Sequence, residues 1–267
     1  MALLTRELRA SYAFVERNFN LSKRYWGWEV AFLVYSVAGA LAVTLIGRSE
    51  DDARLLLTLM VGATFWNYLS VVFSIIAEQI SWERWEGTLE YTMMAPVSRI
   101  SQLFGSTVFA ILWGVLHTSV VLIVLVLFFG IDLSHANFLT AGVLMLIGSL
   151  SIIGIGMMAA TLPLIWVERG DQMVFVLQSL LLLISGVYYS VTILPDWMQT
   201  ISALSPATYI LDGVRQGLID GVPVTQIGFS HLLPLVIMAA VFIPLGAWTF
   251  GRAEAYAKRT GKLKRVG

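Results

Sequence analysis

Residues 103–129 read LFGSTVFAILWGVLHTSVVLIVLVLFF, 27 consecutive positions without a charged side chain. A bilayer core about 30 Å thick is crossed by roughly 20 mainly apolar residues in helical form, so this run is expected to span a membrane. Working outward from it, five further stretches meet the same test: Val30 to Ile46, Leu55 to Ala77, Phe138 to Ile165, Met173 to Leu194, and Phe229 to Phe250. The first is the shortest and borrows Tyr25, Trp26 and Trp28 as an aromatic anchor at the interface. The expected fold is all-α, a polytopic membrane protein of six transmembrane helices forming a single transmembrane domain over 1–267.

Composition agrees with that expectation. Of 267 residues 58% are hydrophobic and 13% charged, where a soluble domain carries about a quarter charged. Cysteine is absent and the three histidines, His117, His135 and His231, stand far apart, so neither a disulfide nor a metal centre is expected. Arg6, Glu7, Arg9, Glu16 and Arg17 interrupt the N-terminus before any apolar core forms, which argues against a cleavable signal peptide. No internal repeat, low-complexity tract or soluble domain is evident, and the loops near 48–54 and 130–137 are short.

The net charge is zero, but its distribution is not even. With the N-terminus inside, fourteen of the seventeen Lys and Arg residues fall on the cytoplasmic side, leaving Arg48, Arg54 and Arg215 outside. Positive residues are retained in the cytoplasm. The expected topology is therefore multi-pass with N- and C-termini cytoplasmic. In residues 1–28, Leu4, Leu8, Tyr12, Val15 and Phe19 recur at helical spacing away from Arg6, Arg9, Glu16 and Arg17, as in an amphipathic helix lying on the membrane surface; the alternative is simply the start of the first span. At the other end, in 251–267, Lys258, Arg259, Lys262, Lys264 and Arg265 form a basic cytoplasmic tail suited to anionic lipid.

Two connections are too long for turns. In 80–100, Trp82, Trp85, Leu89 and Met93 make an apolar stripe at helical spacing, Glu83, Glu86 and Glu90 an acidic ridge beside it, and Pro96 limits the helix. Such a helix packs on the bundle and offers carboxylates to a partner; the alternative is an ordinary interfacial loop helix. In 195–224, Pro195, Pro206 and Pro223 stand among apolar residues, as in short half-helices that dip into the outer leaflet and return.

These two segments also carry a resemblance. Glu86-Gly87-Thr88-Leu89-Glu90, followed by Pro96-Val97-Ser98-Arg99, resembles the cytoplasmic coupling-helix signature of permease subunits of type-2 ATP-binding-cassette (ABC) exporters, the ABC-2 type transporter family. Leu194-Pro195-Asp196-Trp197, Leu204-Ser205-Pro206-Ala207-Thr208-Tyr209 and Asp212-Gly213-Val214-Arg215 resemble the outer re-entrant region of the same family. The match covers essentially the whole chain. It implies a transport subunit of the plasma membrane, not an enzyme, in which Glu86, Gly87 and Glu90, then Glu83 and Arg84, dock a cytoplasmic ABC ATPase. It also implies Pro195, Trp197, Pro206, Tyr209, Asp212 and Arg215 as the outer re-entrant residues. Two ATPase copies and a second permease, identical or related, are the implied partners, together with membrane lipids and without nucleic acid. ATP and Mg would sit on the ATPase: Gly261-Lys262-Leu263 lacks the glycine spacing and the hydroxyl residue of a phosphate loop, and this chain is expected to hold no cofactor.

Polar residues within spans are costly in lipid. Asn67, His117 and Gln178, with the aromatic Phe65, Tyr68 and Tyr188 (and Trp66 and Tyr189 beside them), are candidates for a substrate path; interhelical hydrogen bonding is the alternative. The substrate class expected is an amphipathic drug-like molecule or a lipid, with polysaccharide or lipid-linked glycan as the second reading. An ion-coupled carrier would call for a charge in mid-span, and none is evident. An intramembrane enzyme would call for a nucleophile or base cluster, and His117 has no partner on its own helix at i+3 or i+4.

Overall fold

Short polar residues set the ends of the long helices. Asp52 accepts hydrogen bonds from the backbone N–H groups of Arg54 and Leu55, Ser98 from that of Ser101, and Asn137 from that of Thr140, each satisfying orphan donors of a helix start. The computed structural model describes residues 2–263, with side chains from residue 5. The side chain of Leu4, and Lys264 and Arg265 of the basic tail, lie outside the described residues.

In chain order the helices are α1 (Ala2–Arg24), α2 (Trp26–Ser49), α3 (Ala53–Ala77), α4 (Gln79–Trp85), α5 (Leu89–Met94), α6 (Arg99–Phe129) and α7 (Phe138–Ala159). There follow α8 (Thr161–Ile165), α9 (Gly170–Ile184), α10 (Asp196–Ser202), α11 (Pro206–Leu218), α12 (Val224–Ile227) and, after a π-helical turn at Gly228–Leu232, α13 (Leu233–Thr260). Among the described residues five helical stretches are long and apolar enough to cross a membrane: Trp26–Ser49, Ala53–Ala77, Arg99–Phe129, Phe138–Ile165 and Val224–Thr260.

The fifth expected span, Met173 to Leu194, is corrected. Its helix, α9, has 15 residues and ends at Ile184, a length of roughly 22 Å against a core of about 30 Å. Ser185 and Gly186 stop it: Gly186 adopts φ +64°, and Ser185 turns its hydroxyl to Leu181 O and to Ser205. The expected tail likewise begins later, since α13 continues to Thr260 before Gly261 reverses the chain at φ +69°.

Helix α3 is the centre of the bundle, burying Met60, Tyr68, Val72, Phe73 and Ile76 against α2, α6, α7 and α11. Lipid tails are as apolar as leucine, so close packing rather than transfer from water holds such helices together. The packing is correspondingly tight. Tyr68 lies against Gly114, and α7 meets α13 where a side chain on Gly246 would come 2.6 Å from the Gly154 carbonyl. The exposed surface of α2 and α6 is apolar, with Phe32, Val34, Leu112, Ile123 and Leu127 outward.

Candidate functional site

The segment expected as one helix from Ser81 to Pro96 is two. α4 ends at Trp85, Gly87 takes φ +73°, a conformation that residues other than glycine rarely adopt, and α5 starts at Leu89. The break rotates the two halves apart. Trp82 and Trp85 are exposed, meeting edge to face, while Leu89 and Met93 are buried with Ile80, Leu164, Phe250 and Ala257. The continuous apolar stripe read from the sequence is therefore split between two environments.

The acidic ridge is divided as well. Glu83 is 1% exposed; its Oε1 accepts from Arg17 Nη1 (2.8 Å), Gln102 Nε2 (3.2 Å) and Gln79 Nε2 (3.3 Å). Arg84 is also buried, donating from Nη1 to Pro163 O (2.7 Å) and from Nη2 to Lys262 O (3.1 Å). Glu83 and Arg84, expected on a docking surface, instead face into the chain. They bind the segment to α1, to α8 and to the strap at 261–263. Glu86 stands between these extremes, accepting from the Tyr25 hydroxyl with Arg24 Nη1 at 3.9 Å. Glu90 is exposed, as are Tyr91, Met94 and Pro96.

Arg99 fastens the far end of the segment. It donates to Thr92 O (2.9 Å) and Met93 O (2.8 Å), capping the last carbonyls of α5, and pairs with Glu254 of α13 at 3.1 Å. Beside it, the hydroxyls of Ser101 and then Ser98 donate to Glu7 and hold its carboxyl below the usual carboxylate range. α1 runs along the first half of α6, with Ser11 buried at Gly105 and Phe19 edge-on to Phe109, while Leu8 and Tyr12 of the apolar face read from the sequence are exposed.

Where α3 passes into α4, burial pushes the Glu78 carboxyl up to about 7, with the neighbouring Asp171 carboxylate adding to the shift. The folded chain therefore holds a proton there that the unfolded chain, titrating near 4.5, has released. Stability is expected to fall as pH rises from about 5 to 8. Thermal unfolding of the purified chain across that range tests this, and Glu78→Gln should flatten the profile; an unchanged slope would dissociate Glu78 from it.

The candidate path residues are not gathered. Phe65 and Tyr68 are core residues, and the Tyr68 hydroxyl is hydrogen-bonded to Ser149 Oγ at 2.6 Å. Asn67 is part-buried with no partner for its Oδ1, and Gln178 and Tyr188 are half-buried on other elements. Among the described residues no hydrogen bond or ring contact joins these six to one another. His117 does have partners, but on another helix and along its own: Glu29 Oε2 at 3.7 Å and the Trp113 ring at 5.5 Å.

At the opposite end of the bundle, Pro195 precedes α10, Trp197 is exposed and Pro206 opens α11 at its first turn. Ile210, Leu211 and Val214 bury α11 against α7 and α3. Tyr209 donates to Ala203 O (3.1 Å), Asp212 meets His231 Nε2 (2.9 Å), and Arg215 donates to Gly186 O (2.9 Å) and to Val187 O. Sequence reasoning named Arg215 without its task, which is to satisfy the carbonyls that follow α9.

Among the described residues no group of three or more His, Cys, Asp or Glu side chains could hold a metal ion. The model of the family described as ABC-2 type transporter matches residues 10–219. A comparison with curated proteins found no match.

Proposed function

The chain belongs to the ABC-2 type transporter family as its membrane permease component, and from that membership we propose that the exposed rim of the 86–94 segment is the coupling element that docks a cytoplasmic ABC ATPase. Permeases of this family generally pair with such an ATPase, and the family's membrane domain carries no nucleotide-binding domain of its own. The observation that carries the reading is the mounting of the segment. Arg17–Glu83, Arg84–Pro163 O and Arg84–Lys262 O fasten α4, which leads into it, and Arg99, itself paired with Glu254 of α13, holds its far end through Thr92 O and Met93 O. Glu90, Tyr91 and Met94 are meanwhile left outward, with Gly87 at the bend and Glu86 half-covered. A rigidly mounted protrusion transmits displacement, whereas a loose loop absorbs it.

In this reading both termini and the segment are cytoplasmic, consistent with where Lys and Arg fall. α9 and the α10–α11 pair form the outer re-entrant region, with α9 as a sixth, partial crossing. A second permease subunit completes the path, since one copy supplies a single coupling segment. An amphipathic molecule or lipid is the proposed cargo, in keeping with the apolar exposed surface of α2 and α6.

The test is copurification. The wild-type chain extracted in mild detergent from its host should bring an ABC ATPase. Glu90→Ala with Tyr91→Ala should lower its yield at least tenfold while leaving the melting temperature of the permease within about 2 °C, because exposed side chains away from packing contacts contribute within about 0.5 kcal/mol. An ATPase retained in full by the double variant would place docking elsewhere.

A further inference from the structure

Glu29 lies in the first turn of α2 with its side chain partly exposed. One oxygen is used within the chain: Oε2 accepts from Trp113 Nε1 at 3.2 Å and stands 3.7 Å from His117 Nε2. The other, Oε1, has no hydrogen-bond partner among the described residues and is not enclosed, the side chain being 29% exposed. Trp28 and Val30 flank it along the helix and Trp26 and Phe32 lie one turn to either side, all four exposed. Trp113 beneath it stacks on Phe109 (centroids 5.6 Å) and meets Phe19 edge-on (6.0 Å). A groove of about 340 Å³, lined by Arg24, Tyr25, Trp26, Gly27 and Trp28, ends one residue before Glu29.

At the interface, where Trp26 and Trp28 anchor the start of α2, a carboxylate with an open oxygen attracts a cationic head. Among the described residues the one ion-pair partner of Glu29 is His117, on the already occupied oxygen, while Arg24 of the neighbouring groove pairs with Glu86 at 3.9 Å. A carboxylate with an open oxygen beside exposed indoles is chemistry that recognises an ammonium group, by Coulomb attraction to the charge and by the quadrupole of any ring face the head reaches.

We propose that Glu29, with Trp113 beneath it, is a binding site for the ammonium head of an amphiphile whose apolar chain lies along α2. The proposal deepens the transport reading, since it names the charge class of a cargo or resident lipid. It stands or falls separately from ATPase docking.

Native mass spectrometry of the purified chain in an uncharged maltoside detergent tests it, with a long-chain alkyltrimethylammonium as probe and the alkyl sulfate of equal length as control. A saturable one-to-one adduct with the ammonium, absent with the sulfate and at least tenfold weaker in Glu29→Gln, is the expected result. The glutamine keeps an acceptor for Trp113, so folding should survive; if it does not, Glu29→Asp, which retracts the charge by one methylene, should weaken the adduct measurably. Phosphatidylethanolamine in the same assay separates the sources. A Glu29-dependent lipid adduct that displaces the probe identifies a resident lipid as the ligand, and its absence alongside the probe adduct identifies a soluble amphiphile. Equal occupancy in wild type and variant, or equal binding of the sulfate, overturns the site. Loss of ATPase copurification with the adduct retained would count against the transport reading alone.

Discussion

Glu83→Ala is expected to destabilise the chain by roughly 3 kcal/mol and to abolish ATPase copurification, although Glu83 is too deeply buried to touch a partner. Removing one member of a buried ion pair leaves the other charge uncompensated, at about 3–5 kcal/mol. The lower end applies because Arg17 keeps 27% of its side chain in contact with solvent. The same deletion strips the acceptor from the side-chain amides of Gln79 and Gln102. For a chain of this size the melting temperature should fall by about 6–12 °C, read by scanning fluorimetry in detergent. The contrast with Glu90→Ala separates mounting from contact, since Glu90 is exposed and should affect the partner but not the melt. If Glu83→Ala melted within about 2 °C of wild type, Arg17, Gln79 and Gln102 would have to be satisfied by other groups, and the segment would not depend on this anchor.

That contrast also marks the limit of what periodicity discloses. Spacing places Glu83, Glu86 and Glu90 on one ridge, yet the three end in burial, half-cover and solvent. Gly87, the residue that breaks the ridge, stands in the sequence as a punctuation signal inside a helical pattern. The partners that bury Glu83 and Arg84 lie far off in the chain, at Arg17, Pro163 and Lys262, and two of these are backbone carbonyls, which no side-chain pattern announces. The long spans were legible because lipid demands a length and a composition that few other contexts demand. The fifth was overextended for the same reason: Leu180 to Leu194 stays apolar enough to read as span, while the chain is turned at Gly186 and its carbonyls are taken up by Arg215, nearly thirty residues later. His117 looked isolated because its acidic neighbour, Glu29, lies on another helix 88 positions earlier.

The same junction yields the other large effect. At Gly62 of α3 an added Cβ would fall onto the carbonyl oxygen of Val187 and lie 2.9 Å from Arg215 Nη2. Backbone, unlike the end of a flexible side chain, cannot step aside locally, so Gly62→Val must push the 186–187 loop away from α3. Moving the loop pulls Gly186 O and Val187 O from Arg215. The variant thereby adds overpacking, about 1–3 kcal/mol, to an unpaired guanidinium and two carbonyls left short of donors. A loss on the order of 4 kcal/mol is expected, visible as a melting temperature lowered by about 8–16 °C. Arg215→Met removes the charge but leaves Gly62 and the loop undisturbed sterically, and should lose about half as much. Combining the two substitutions should cost less than their sum, because both release the same carbonyls. Strict additivity would mean that the loop is held against α3 by packing at Val187 alone, and that Arg215 serves some other group.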